Sequence, residues 1–332
     1  MVKLRMAIMI SGGAGYIGSH TVRYFLDKNE DVIVVDNLQT GHRQSLAIEH
    51  LYQIDLRDKK ELDKIFRVHN VEAVIHFAAN SLVSESMEKP FEYYHNNVYG
   101  LMCLLDVMKD NDVKKIVFSS TAATYGEPKN IPIIEEDDTN PTNTYGETKL
   151  AMEKMMKWFD QGYDIKYVSL RYFNAAGAHE SGNIGEEHDP ETHLIPLILQ
   201  VPLGQREKIF MFGDDYSTED GTCVRDYIHV MDLASAHYLA LEYLRGNNPS
   251  EVFNLGNGNG YSVKQVIDVA RQVTNNPIPA EVKERRAGDP AILIASSEKA
   301  KDMLGWEPQF NSLEKIINDA WRWHKNNPEG YS

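Results

Sequence analysis

The sequence predicts an α/β fold in which a parallel sheet, wound on both faces by helices, carries a smaller mixed α/β domain. Three observations predict it. Short apolar runs rich in Val and Ile recur without alternation, as strands covered on both faces require. Stretches with helical periodicity separate those runs. A glycine cluster joins the first run to the first helix.

Residues 7–10 form the first buried-strand run, ending at Ser11-Gly12-Gly13-Ala14-Gly15-Tyr16-Ile17-Gly18. A helix is predicted over 19–28 and a second strand over 31–35, closed by Asp36. Strand, glycine turn, helix, strand and terminal acid make a Rossmann-type dinucleotide-binding unit. The glycines let the backbone approach a pyrophosphate and leave amides free at the helix start. Asp36 can accept from a ribose 2′-hydroxyl and would repel a 2′-phosphate, which favours NAD over NADP.

The alternation continues through strands at 51–54, 73–76, 115–118 and 167–170, with helices at 59–69, 96–110 and 147–161. Ligands of such sheets sit beyond the carboxyl ends of the strands. Asp36, Asp55, Ala78, Thr121 and Asn174 all fall at such ends, so they converge on one crevice.

After Asn174 the pattern changes. Residues 175–189 read as a loop, 194–201 as a helix interrupted by Pro196, and 210–225 as a polar hairpin or loop. Strands are predicted at 226–230 and 252–255 around a helix at 232–245, then a helix at 262–274 capped by Ser262 and a last helix at 312–325. The expected division is 1–176 plus 226–256 for the NAD-binding Rossmann domain, and 177–225 plus 257–332 for a discontinuous substrate domain.

The chain has 332 residues, 42% hydrophobic and 25% charged, which suits a globular protein with a substantial core. A net charge of −15 argues against nucleic acid and anionic membrane as partners. Cys103 and Cys223 make no disulfide framework and no zinc spacing, and no long apolar segment is present, so the cytoplasm is the expected compartment. His20, His76 and His229 read as core histidines, and no metal is expected.

Tyr145 and Lys149 stand four apart at the head of a predicted helix, so both leave one face. A phenol titrates near pH ~10, and each unit of depression takes about 1.4 kcal/mol. An ammonium at about 4–6 Å in a partly dry site can supply the roughly 4 kcal/mol that makes it a base near neutrality. The methionines at 152, 155 and 156 read as helix packing or a dimer face.

These residues resemble the extended short-chain dehydrogenase/reductase superfamily and, within it, the UDP-glucose 4-epimerase family. The superfamily signals are the glycine turn and the Tyr145/Lys149 pair. More specific are Gly-Tyr-Ile-Gly-Ser-His ending at His20, Asp36-Asn37-Leu38, Lys89-Pro90 before Tyr93-Tyr94, Arg171-Tyr172-Phe173-Asn174, and the run 218–232 with Glu219-Asp220-Gly221 and Val224-Arg225-Asp226-Tyr227-Ile228-His229-Val230. The resemblance implies interconversion of UDP-galactose and UDP-glucose through a 4-ketosugar, tightly bound NAD, a role in galactose metabolism and a homodimer.

The same resemblance implies residue roles. Tyr145 is the base, Lys149 holds the nicotinamide ribose and lowers the Tyr145 pKa, and Thr121 bridges base and substrate. Gly12, Gly15, Tyr16, Ile17, Gly18, Asp36, Asn37, Asp55, Leu56, Phe77, Ala78, Ala79, Ser81, Asn96 and Phe173 hold NAD. Asn174, His193, Leu194, Phe210, Met211, Phe212, Arg225, Arg286, Asp289 and Leu293 face the UDP-sugar, with both arginines on the pyrophosphate. Three positions depart from the family pattern: Thr121 replaces a common serine, Ser81 a lysine seen in some members, and Leu293 falls at the sugar gate. The gate leaves UDP-N-acetylhexosamines open as further substrates. A 4,6-dehydratase relative would carry Asp-Glu after the Thr121 position, where Ala122 and Ala123 stand here. A non-catalytic NAD sensor would tend to lose the Tyr/Lys pair, which is intact.

Overall fold

The three-dimensional structure is a computed structural model that describes residues 6–286 and 289–331. Seven parallel strands form the central sheet, in spatial order Glu251–Leu255, Lys166–Tyr172, Lys115–Ser119, Val71–His76, Ala7–Ser11, Asp31–Val35 and Leu51–Tyr52. Every neighbouring pair is parallel. The order reverses direction at Ala7–Ser11, and a cleft opens at such a switch point.

Side chains alternate between two layers along each strand. Ile8 and Ile10 pack with Val22, Phe25 and Leu241, under helices Tyr16–Asp27 and Val230–Arg245. Met9 faces the opposite layer with Leu62, Leu104 and Met152, from helices Lys59–Val68, Tyr99–Asp110 and Thr144–Tyr163. Met152 and Met156 are buried in that layer and Met155 packs against it, so the methionine stripe is helix packing rather than a dimer face.

Two parts of the chain differ from the sequence expectation. Only the second of the two late strands, Glu251–Leu255, joins the sheet edge; Tyr227–His229 pairs instead with Asn174–Ala176 in a two-stranded ribbon. The polar stretch predicted as a hairpin or loop over 210–225 opens with the strand Ile209–Phe212, which pairs not with a local hairpin partner but in parallel with Ala280–Lys283. That pairing joins segments about 70 residues apart, and no local pattern encodes it. A third core, with Ile198, Leu199, Val266, Ile267, Ile316 and Ile317, holds helices Leu194–Leu199, Val263–Thr274 and Leu313–Asn326 together. Ser262 caps Val263–Thr274 in a full capping box with Gln265. Among the described residues no helix is long and apolar enough to cross a membrane, and both cysteines are buried and unpaired.

Candidate active site

A cleft of 1240 Å³ runs along the carboxyl ends of the parallel strands. Its floor is the glycine turn. Gly12 has φ +75°, and an added Cβ would stand 2.5 Å from the Ala78 nitrogen. At Gly18 the added carbon would lie 2.1 Å from the Gly12 carbonyl oxygen, so the helix sits directly on the turn. Gly15 is different: its missing Cβ has only one neighbour, at 3.5 Å, and the space belongs to the cleft. No side chain caps the helix that starts at Tyr16, so its first amides are left for a ligand.

Asp36 is nearly buried and accepts from the Ala14 and Leu38 amides at 2.9 and 2.8 Å. Burial nevertheless raises its pKa above the usual carboxylate value. Asp55 is held by Arg57, whose Nε donates to it at 2.7 Å, and its pKa falls to about 2. The cradle that Gly15 leaves, the uncapped amides and the fixed acid fit a dinucleotide with a free ribose. All the residues predicted to hold NAD line this cleft: Tyr16, Ile17, Asn37, Leu56, Phe77, Ala78, Ala79, Ser81, Asn96 and Phe173 join those already described.

The helix Thr144–Tyr163 presents the chemistry. Asn143 caps it by accepting from the Gly146 amide at 2.9 Å, which puts Tyr145 and Lys149 in the first turns and on the cleft wall. Lys149 Nζ donates to the Ser119 carbonyl at 2.8 Å and lies 5.9 Å from the Tyr145 ring centre. Thr121 lies just beyond the strand Lys115–Ser119 and also lines the cleft.

Burial adds a second electrostatic contribution at both groups. Burial pushes the Tyr145 phenol up to about 12, with only the Thr121 hydroxyl pulling it back. Burial pushes Lys149 down to about 7, with Glu153 opposing. Burial in the cleft wall disfavours the charged form of each group.

Two supports were not foreseen. Asn97 accepts from the Asn80 amide at 2.8 Å and donates to the Thr148 hydroxyl at 3.1 Å, tying the loop after the strand Val71–His76 to the helix that carries Tyr145. Arg171 Nη2 and Glu153 Oε2 pair at 2.6 Å while both are buried, and Ser120 donates to Glu153 at 2.5 Å. Glu153 is one turn past Lys149 and Ser120 precedes Thr121, so this network clamps the two catalytic candidates' backbones together. The Asn96-Asn97 doublet and the i, i+4 acid after Lys149 were the available sequence signals.

On the opposite wall stand Asn174, His193, Leu194, Arg225, Arg286, Asp289 and Leu293. Arg225 pairs with Asp289. Leu293 pairs in strand register with Arg225 and packs on the Ala122, Tyr125 and Ile133 cluster beside Phe173. Phe210, Met211 and Phe212 are not among the lining residues: they lie on the strand Ile209–Phe212, where Phe212 supports Arg286, whose guanidinium sits 4.1 Å from the ring centre.

One further group was missed. Glu186, His188, Glu191 and His193 bring one ligating atom each within 4.8 Å of one another. Burial acts to raise Glu186, but His193 and His188 outweigh it and hold the carboxyl at about 2. Burial acts to lower His188, but Glu186 and Glu191 lift it to about 10. The sequence signal is two histidines and two acids within eight consecutive residues, of which only His193 was singled out.

The chain belongs to the NAD dependent epimerase/dehydratase family, whose sequence model matches residues 8–256. It is 64% identical over 327 residues to the UDP-glucose 4-epimerase of Halalkalibacterium halodurans, covering 98% of each chain. A solved UDP-glucose 4-epimerase superposes with a TM-score of 0.97 at 60% identity, covering 98% of this chain and 99% of the other. The Bifidobacterium longum UDP-glucose 4-epimerase, solved in complex with NAD+ and UDP, gives a TM-score of 0.92 at 40% identity over 98% of this chain and all of that one.

Proposed function

We propose that this chain interconverts UDP-galactose and UDP-glucose as a 4-epimerase, through a transient 4-ketosugar and with NAD held throughout turnover. The observation that carries the reading is the placement of Tyr145, Lys149 and Thr121 in the same cleft as the glycine turn, with Arg225 and Arg286 on the facing wall. NAD, when bound, supplies the hydride acceptor and returns the hydride.

The chain's own groups do the rest. Tyr145 takes the proton of the 4-hydroxyl and gives one back, and Thr121 relays between phenol and sugar. Lys149, anchored on the Ser119 carbonyl, holds the nicotinamide ribose. Asp36 holds the adenosine ribose, and the uncapped amides at Tyr16 and Ile17 hold the pyrophosphate. Arg225 and Arg286 grip the UDP pyrophosphate, Arg286 steadied by Phe212 and Arg225 by Asp289. Asn174, Leu194 and Leu293 border the hexose. Strong anchoring of the nucleotide and loose apolar contact at the sugar permit the ketosugar to turn its other face. Residues 1–176 with 226–256 form the NAD-holding unit, and 177–225 with 257–332 the UDP-sugar-holding unit.

A homodimer is supported by exposed apolar side chains on one side of the NAD-holding unit: Phe91, Tyr99, Met102 and Trp158 are 74%, 40%, 43% and 68% exposed. Two unpaired buried thiols suit the cytoplasm. A second reading, acceptance of the UDP-N-acetylhexosamine pair, rests on a branched aliphatic Leu293 at the sugar wall instead of a larger ring, and assay of the plain and N-acetylated sugars side by side decides it.

The test is incubation with UDP-galactose and no added cofactor. UDP-glucose accumulates to an equilibrium mixture without net NADH. A 6-deoxy-4-ketosugar product, or no conversion by protein replete in NAD, refutes the reading.

A further inference from the structure

The loop after Gly185 carries a cluster on the wall of the cleft, Glu186, His188, Glu191 and His193, of which only His193 is expected to face the UDP-sugar. Its base is rigid. Trp323 Nε1 donates to the Glu186 carbonyl at 3.2 Å, and the Tyr331 hydroxyl both accepts from the Gly185 amide at 2.9 Å and donates to its carbonyl at 3.0 Å. A Cβ at Gly185 would lie 2.0 Å from the Trp323 ring, so the backbone is pressed onto the indole. Glu186 is thereby held with its side chain only 4% exposed. At the other end, Glu191 Oε1 accepts from the Thr192 and His193 amides at 2.7 and 2.8 Å, which leaves Oε2 free to point back into the loop.

The four side chains converge. His188 Nδ1 is 3.4 Å from Glu186 Oε1 and 3.5 Å from Glu191 Oε2, and His193 Nδ1 is 3.9 Å from Glu191 Oε1 and in direct contact with Glu186 Oε1. His188 Nδ1 is buried and makes no hydrogen bond with protein, although two carboxylate oxygens face it. In a tetrahedral site with bonds of about 2.0–2.1 Å, ligand atoms stand about 3.3–3.4 Å apart. The His188 distances match two ligands sharing a cation, and are long for hydrogen bonds though within the range of ion pairs. Only the His193–Glu186 contact has to open for all four atoms to reach one centre.

The chemistry of the donor set narrows the ion. Two imidazole nitrogens and two carboxylate oxygens select a borderline transition cation over Ca²⁺ or Mg²⁺, which take oxygen ligands. Two carboxylates and a divalent ion are also electrically neutral together, which suits a half-buried site.

We propose that Glu186, His188, Glu191 and His193 bind one divalent transition cation, Zn²⁺ foremost, which pins the loop from 185 to 193 to the cleft wall. His193 immediately precedes the helix Leu194–Leu199 and both His193 and Leu194 border the cleft, so the ion would set where that wall stands. The ligation closes all four coordination positions, so the role is to position the wall and not to act on substrate.

The test uses NAD-bound protein freed of metal by chelator dialysis and titrated with Zn²⁺ against a chromophoric competitor. One equivalent per chain binds with a Kd of about 1 μM or tighter. His188→Ala weakens that equivalent by roughly 10²-fold, and Glu191→Gln, which keeps the side chain's shape, weakens it by roughly 10-fold or more. Co²⁺ in place of Zn²⁺ gives the intense visible bands of a four-coordinate centre, lost in His188→Ala. Circular dichroism and retained NAD identify a variant that has merely unfolded, and Glu191→Gln then carries the comparison. Equal Zn²⁺ stoichiometry and affinity in wild type and folded variants overturns the proposal, as does the lack of any wild-type equivalent tighter than about 10⁻⁴ M. None of these readouts depends on epimerase turnover.

Discussion

Tyr145→Phe lowers kcat for UDP-galactose epimerisation by about 10²–10⁴-fold while NAD stays bound, because the substitution removes one oxygen and leaves the ring's packing in place. KM changes little by comparison, since the nucleotide is gripped by Arg225 and Arg286 on the facing wall. Burial pushes the phenol up to about 12, so positive charge beside it in the cleft favours the base form. Each unit of pKa recovered corresponds to about 1.4 kcal/mol. Steady-state kinetics and the NAD content of purified protein check the prediction. Turnover within about tenfold of wild type would remove Tyr145 from the base role.

Glu153→Ala destabilises the fold by about 3–5 kcal/mol, because it leaves the Arg171 guanidinium buried without its carboxylate. Arg171 and Glu153 have side chains only 7% and 6% exposed, so neither charge has water to fall back on. The Tyr125 hydroxyl would remain, at 2.9 Å from Arg171 Nη1, but a neutral acceptor cannot balance the charge. Tyr125 in turn donates to Asn254 at 2.7 Å, so the disturbance reaches the edge strand Glu251–Leu255. Denaturant unfolding with an unchanged slope reads the loss directly. A cost under about 1 kcal/mol would show that the pair is a surface-like contact and not a clamp between helix and sheet.

What was legible in the sequence follows from the range over which each signal acts. Asp31–Val35 is specified by its own continuous β-branched run, the helix Thr144–Tyr163 by periodicity within its own residues, and the glycine turn by steric demands that only glycine meets. The strand Ile209–Phe212 was missed because its partner, Ala280–Lys283, lies far along the chain and its neighbours are polar. The Arg171–Glu153 pair was missed for the same reason: 18 residues separate them, and only packing of helix on sheet brings them together. At Tyr145 the sequence shows which charge is the neighbour, and the fold adds the burial that pushes the phenol up.

The central claim is that the Tyr145 oxygen meets the carbinol at C4 while the arginines hold the nucleotide. A crystal structure of the NAD-bound protein with a UDP-hexose measures it. The account predicts Tyr145 Oη at about 2.6–3.2 Å from the sugar's 4-oxygen, with Thr121 Oγ1 beside both. A phenol oxygen more than about 4.5 Å from that atom, with the nicotinamide turned away from C4, contradicts it.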